Sequence, residues 1–151
     1  MVLWLAIASS SFSSFCTGAG ISKFAGDSLS GLPIGPFGII VVMMVIVFVM
    51  GMFIESLAVI MITLPIFMPV VLQLGFDPLW FALTFTINIM IAIVTPPVAM
   101  TLFYLKGILP ADVKMADIYR SVIPYVFLEL IVLVIALLWP PLLTWLPNKM
   151  I

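Results

Sequence analysis

The chain has 151 residues, of which 66% are hydrophobic and only 7% charged, with a mean hydropathy of +1.45; soluble domains carry about 25% charged residues, so this is the composition of a membrane protein. A formal net charge of −1 gives no footing for nucleic acid, and the few Lys and Arg form no basic stripe. The absence of His and the single cysteine, Cys16, exclude disulfide frameworks and Cys/His zinc sites.

Residues 1–16 predict part of a transmembrane helix. They lack the basic region that opens a secretory signal. They also fall short of the about twenty residues that span a bilayer, which points to a fragment of a longer chain. Ser9, Ser10, Ser11, Ser13 and Ser14 permit close helix packing, and Cys16 reads as a small buried apolar residue. Residues 17–36 are rich in Gly, Ser and Pro and carry Lys23 and Asp27. They predict a connecting segment with a short interfacial helix around 21–29.

Residues 37–74 are apolar almost throughout, too long for one comfortable span and too short for two. Gly51-Met52-Phe53-Ile54-Glu55-Ser56 divides them into two helices of roughly fifteen residues, which predicts a re-entrant hairpin that enters and leaves on one side. The alternative is one long tilted helix from Phe37 to Ile60 followed by a loosely packed apolar stretch. Pro65 and Pro69, one turn apart, bend the second arm.

Gly75-Phe76-Asp77-Pro78 is a sharper signal: Gly suits the end of one helix, Asp77 the N-cap of the next, and Pro78 its first turn. Residues 78–105 then predict a broken transmembrane helix, interrupted at Thr95-Pro96-Pro97, because proline removes a donor and pushes the residue before it out of the helical region. Residues 106–120 are the most charged stretch. Lys106, Lys114 and Arg120 place this loop on the cytoplasmic side, with a short surface helix at 112–119. Residues 121–146 form the last transmembrane helix, kinked or ended near Pro140-Pro141, with Trp139 and Trp145 in an interfacial belt. Glu129 within it reads as structural or protein-facing. Lys149 falls outside, against the charge rule.

Breaking a helix at membrane depth frees amides and carbonyls that hydrocarbon cannot satisfy, so such breaks are tolerated where they are buried or line a polar cavity. Carbonyls at helix C-terminal ends favour a cation, and amides at N-terminal ends an anion. Sodium, a hard cation, suits the carbonyls of Gly51, Ala92 and Val98 and the hydroxyl of Thr95. The amides after Glu55 and Thr95 can face a substrate carboxylate. Against this stands a purely structural kink at Thr95. Glu55 either binds a cation or, with Ser56, caps the following helix. Asn88, two turns before Thr95, either lines the cavity or makes an interhelical hydrogen bond.

Five motifs stand in register: Gly51-Met52-Phe53-Ile54-Glu55, Leu64-Pro65-Ile66-Phe67-Met68-Pro69, Gly75-Phe76-Asp77-Pro78, Asn88, and Thr95-Pro96-Pro97-Val98, with Trp139-Pro140-Pro141 and Leu146-Pro147 closing the chain. Together they resemble the C-terminal part of the large membrane subunit of tripartite ATP-independent periplasmic (TRAP) transporters. The resemblance implies an all-α membrane fold: one inverted repeat of an elevator transporter of the ion transporter superfamily, built on a re-entrant hairpin and a broken helix. It further implies sodium-coupled import of organic acids such as C4-dicarboxylates across the bacterial inner membrane. The partners it implies are a small membrane subunit, a periplasmic substrate-binding protein and a first-repeat half. By position, the family's second sodium site maps to Gly51, Ala92, Thr95 and Val98, and the substrate cavity to Glu55, Ser56, Asn88 and Thr101. No cofactor other than the coupling sodium is expected.

Two features depart from the family. It usually has Gly where this chain has Ala92 and Ala99, which removes conformational freedom at both. The first repeat is missing, so this chain alone is not expected to transport; a truncated product, a partial gene model and half of a split permease all fit. The alternative function is a structural membrane subunit. An intramembrane enzyme would need a nucleophile and base, and the Lys residues lie away from the Ser-rich first helix.

Overall fold

The structure, a computed structural model, describes the chain except residues 1, 22–23, 25–27, 29–32, 97–98, 111 and 151. The regular elements among the described residues are helices: α1 (Val2–Gly18), α2 (Pro36–Phe53), α3 (Ser56–Gln73), α4 (Pro78–Val94), α5 (Met100–Ile108), α6 (Met115–Leu138) and α7 (Pro141–Met150). Three of them, α2, α3 and α6, are long and apolar enough to cross a membrane, and α4 is a somewhat shorter apolar helix. The protein is therefore an all-α, multi-pass membrane protein.

The helices are separated where the residues demand it. Gly75 takes φ 76°, the left-handed conformation that glycine adopts without a Cβ penalty. Around it the Phe76 amide donates to Val71 O (3.1 Å) and the Gly75 amide to Leu72 O (3.1 Å), closing α3 with a Schellman pair. Asp77 then accepts from the Leu79 amide at 2.9 Å, with Pro78 in the first turn of α4. Pro65 and Pro69 sit inside α3, which nonetheless runs unbroken for 18 residues.

The main core is built by α2, α3 and α4, closed by the second half of α6. Ile40, Met43 and Val47 of α2 meet Val59, Val70 and Val71 of α3 and Trp80, Phe81 and Ile91 of α4, with Leu133 and Leu137 of α6 completing it. Two polar ties fix the register of α4 within it. The Trp80 indole Nε1 donates to Ala136 O of α6 at 2.8 Å, and Asn88 Nδ2 donates to Met44 O of α2 at 2.7 Å. A second, smaller core adjoins it at Val122, where Ala99 and Leu102 pack on Ile118 with Leu109, Val113, Met115 and Tyr119 around them.

Several element boundaries differ from the sequence reading. The two arms flanking Ile54-Glu55 are 18 residues each, longer than expected. The charged stretch at 106–120 is mostly helix: α5 continues to Ile108, α6 starts at Met115, and only residues 109–114 form the connection. The short surface helix expected at 112–119 is instead the first turn of α6. Asp117 there accepts from the Lys114 amide at 3.2 Å, which caps the helix start, and Ile118 buries itself in the small core. The interfacial helix expected at 21–29 falls largely outside the described residues.

Candidate functional site

Two helix interruptions face each other, one between α2 and α3 and one between α4 and α5. At the first, α2 makes its last turn and the Ile54 amide donates to Met50 O (2.8 Å), leaving the carbonyls of Gly51, Met52 and Phe53 beyond the last helical bond. Glu55 takes the N-cap position of α3. Its Oε2 accepts from the Ala58 amide (3.2 Å) and its Oε1 from the Ser56 hydroxyl (3.1 Å). Both carboxylate oxygens thus serve the helix that Glu55 begins.

At the second interruption, Thr95 is extended (φ −82°, ψ 131°), as the following proline requires. Its amide donates to Ala92 O at 3.2 Å and its hydroxyl donates to Ile91 O at 2.7 Å. A carbonyl has two lone pairs and a hydroxyl oxygen keeps its own, so neither Ala92 O nor Thr95 Oγ1 is saturated by these bonds. Ala99 then holds a left-handed conformation (φ 42°, ψ 61°) at the N-cap of α5, which has no side-chain cap. Ala99 therefore takes a conformation that glycine adopts readily and an L side chain adopts at a cost of about 1–2 kcal/mol. Val98, the fourth expected sodium ligand, and Pro97 lie outside the described residues.

The two interruptions approach closely at one point. A Cβ placed on Gly51 would lie 2.7 Å from Ala92 Cβ, so only glycine fits at 51 while alanine stands at 92. The Ala92 methyl packs against the Gly51 backbone here, and the C-terminal end of α2 lies beside that of α4. Next to this contact a cavity of about 210 Å³ is lined by residues 51–56 together with Ile93, Thr101 and Tyr104.

Of the expected cavity residues, Glu55, Ser56 and Thr101 line this space with Gly51. Asn88 does not. It is 1% exposed and lies in an apolar groove with Met44, Phe48, Leu130 and Leu133. Its Oδ1 has no hydrogen-bond partner, and neither has the buried Oε2 of Glu129 on α6. Thr95 lines a different, apolar hollow with Pro96, Val126 and Phe127 of α6. Leu130 borders both that hollow and the Asn88 groove, so Asn88 and Thr95 share the face of α4 turned to α6. Ala92 is buried against Gly51.

Tyr104 was not singled out by the sequence reading. It stands one turn after Thr101, is 76% exposed, and faces the same cavity. The i, i+3 spacing from Thr101, within a helix expected to run to residue 105, carried that information.

Comparison with known proteins identifies the family. Residues 1–142 match the family model described as the tripartite ATP-independent periplasmic transporter, DctM component. The chain is 33% identical over 135 residues to the isethionate TRAP transporter permease protein DctMQ of Oleidesulfovibrio alaskensis, covering 89% of this chain and 21% of that protein. It is 33% identical over 133 residues to the 2,3-diketo-L-gulonate TRAP transporter large permease protein YiaN of Escherichia coli, covering 88% of this chain and 31% of that protein. The C4-dicarboxylate TRAP transporter large permease protein DctM of Vibrio cholerae is 29% identical over 128 residues, 85% of this chain and 28% of its own length. The chain thus spans between about a fifth and a third of these relatives. With the family model matching nearly the whole sequence and the proline-broken helix in place, the chain belongs to the DctM component family of tripartite ATP-independent periplasmic transporters.

Proposed function

We propose that this chain forms the second-repeat half of the large permease of a sodium-coupled importer of organic acids in the bacterial inner membrane. It works with a small membrane subunit, a periplasmic binding protein and a first-repeat half. The observation that carries this reading is the Gly51–Ala92 contact, which sets two helix C-terminal ends side by side next to a partly polar cavity. Each end presents carbonyls with partial negative charge, and Gly51 O, Ala92 O and Thr95 Oγ1 are oxygen donors of the type sodium takes. Val98 O belongs to the same proposed set.

The substrate acid is assigned to the cavity of Thr101, Tyr104, Ser56 and Glu55. Its carboxylate is drawn to the amides that open α5, since that helix has no side-chain cap and the start of α3 is already capped by Glu55. No Lys or Arg lines this cavity among the described residues. The bound cation and the helix end therefore provide the positive potential from this chain, which ties substrate binding to sodium. Asn88 holds α4 to α2 and is proposed to act on the cavity only through that tie.

A re-entrant hairpin rests here on the polar tip at Glu55-Ser56 rather than on arm length, since arms of this length are able to cross the bilayer. Elevator-type movement of α2–α5 against the rest of the assembly belongs to the same proposal. The relatives named above carry isethionate, 2,3-diketo-L-gulonate and C4-dicarboxylates in their names, and an organic anion is the class common to these.

The test is uptake by the assembled transporter in liposomes, with a sodium gradient imposed and those three anions offered in turn. Uptake of one of them that requires inward sodium is expected. In Thr95→Ala the sodium concentration for half-maximal uptake should rise about tenfold, the loss of one charge-assisted contact of about 1.4 kcal/mol, while Thr95→Ser should keep the parent value. Uptake indifferent to sodium in the parent assembly would refute the coupling.

A further inference from the structure

We propose that Lys106 is a positioning residue for the substrate cavity: its ammonium clasps the 109–114 connection and thereby sets the tilt of α5 against the α2–α3 tip. The proposal rests on the reading of that cavity as the substrate site. It begins from a problem of stability. α5 has nine residues, and an isolated helix shorter than about 12–15 residues does not hold its shape on propensity alone. The preceding break gives little support, because Thr95 is extended, Ala99 is left-handed, and no side chain caps the start of α5. The orientation of α5 must therefore come from tertiary contacts.

Those contacts lie on one face. Leu102, one turn before Lys106, packs with Ile118 in the small core, and Leu109, one turn after it, packs against the same cluster. Between them Lys106 Nζ donates to Val113 O at 2.5 Å and to Pro110 O at 3.4 Å. The Val113 amide in turn donates to Pro110 O (3.2 Å), so both carbonyls belong to one tight turn that leads directly into α6. The cation also stands in the last turn of α5, where the helix dipole favours it. Thr101 and Tyr104 lie on another face and line the cavity. Lys106 touches nothing in the cavity, but it fixes the far end of the helix that carries two of its walls. Among the described residues it is the only charged side chain on α5.

The experiment uses the assembled transporter containing the full chain, with Cys16→Ala and spin labels at Leu57→Cys and Phe103→Cys, both exposed sites. It compares Lys106→Met with Lys106→Arg. The distance distribution between the labels should broaden in Lys106→Met. The KM for the transported anion should rise about fivefold, with the sodium half-saturation at saturating anion unchanged, since a charge-assisted contact is lost far from the cation. Lys106→Arg, which keeps a cationic donor, should restore both. A narrow distribution in Lys106→Met, or a broad one with KM unchanged, overturns the proposal. Should Lys106→Met fail to assemble, Lys106→Gln is read in the same way, since its shorter, uncharged side chain loses both the charge and the reach to Val113 O. If the parent assembly shows no sodium-dependent uptake, the functional reading has failed, and the anion's binding affinity, measured calorimetrically in the same variants, replaces KM in deciding the proposal.

Discussion

The interruption between α2 and α3 and the one between α4 and α5 solve the same problem in opposite ways. The first is brief and finished by a side chain: only Ile54 and Glu55 separate the helices, and Glu55 satisfies the start of α3 with its own carboxylate. The second is finished by the backbone. Thr95 goes extended, Ala99 goes left-handed, and α5 starts without a side-chain cap. A capped helix start has spent its attraction for anions internally, whereas an uncapped one keeps it. Under the proposed function, this difference favours the second interruption for the anion. At the C-terminal ends the two are alike, and there they touch, at Gly51 and Ala92.

That contact is the most sensitive point of the comparison. In Gly51→Ala the new methyl meets Ala92 Cβ at 2.7 Å and the helices must part. Overpacking of this kind costs about 1–3 kcal/mol, and here it also separates the carbonyls assigned to the cation. Thermal unfolding of the assembled transporter should fall by several degrees, and sodium-dependent uptake should drop more steeply than stability. The double variant Gly51→Ala with Ala92→Gly moves the methyl to the other helix and should recover most of both. A double variant as poor as the single one would show that glycine at 51 is needed for something other than room.

The second interruption is tested at Ala99. Ala99→Gly removes a left-handed penalty of about 1–2 kcal/mol but also a buried methyl worth about 0.8 kcal/mol, so a gain of no more than about 1 kcal/mol is expected. Ala99→Val sets a β-branched residue in the same conformation and should destabilise by more than Ala99→Gly gains. Thermal unfolding of the two variants side by side checks both signs. Equal stability in all three would mean that the strain is absorbed elsewhere.

How far these features were legible from residues alone follows from the range of the interactions involved. The turn at Gly75-Phe76-Asp77-Pro78 and the stop at Thr95 were readable, because each is decided by torsion and capping within a few residues. The extent of α5 and the start of α6 were not. Lys106, Asp112, Lys114 and Arg120 read as a charged loop, but Lys106 is drawn inward by the Pro110 and Val113 carbonyls and Ile118 by the small core. Both are contacts that charge counting does not reveal. The same limit applied to Asn88. Seven residues from Thr95, it shares a face with it, yet the sequence left open whether Asn88 lines the cavity or makes an interhelical hydrogen bond; packing buries it between α2 and α6, where it donates to Met44 O of α2. Gly51 was found through its neighbours in the motif, while its close approach to Ala92 is visible only across two helices.

The smallest expected effect lies at the first interruption, and it separates the two roles that Glu55 can hold. As a cap, Glu55 contributes about 1 kcal/mol through the Ala58 amide. Glu55→Gln keeps an acceptor oxygen at that position, while Glu55→Ala removes it. If capping is the whole role, Glu55→Gln should unfold within a degree or two of the parent and keep its uptake, and Glu55→Ala should lose a few degrees with a proportionate loss of uptake. If the carboxylate's charge acts on the cation, Glu55→Gln should keep its stability but need more sodium, which capping alone does not predict. Stability and sodium half-saturation measured on the same two variants therefore decide between a helix cap and an ion ligand. The present geometry, with both carboxylate oxygens accepting from the start of α3, favours the cap.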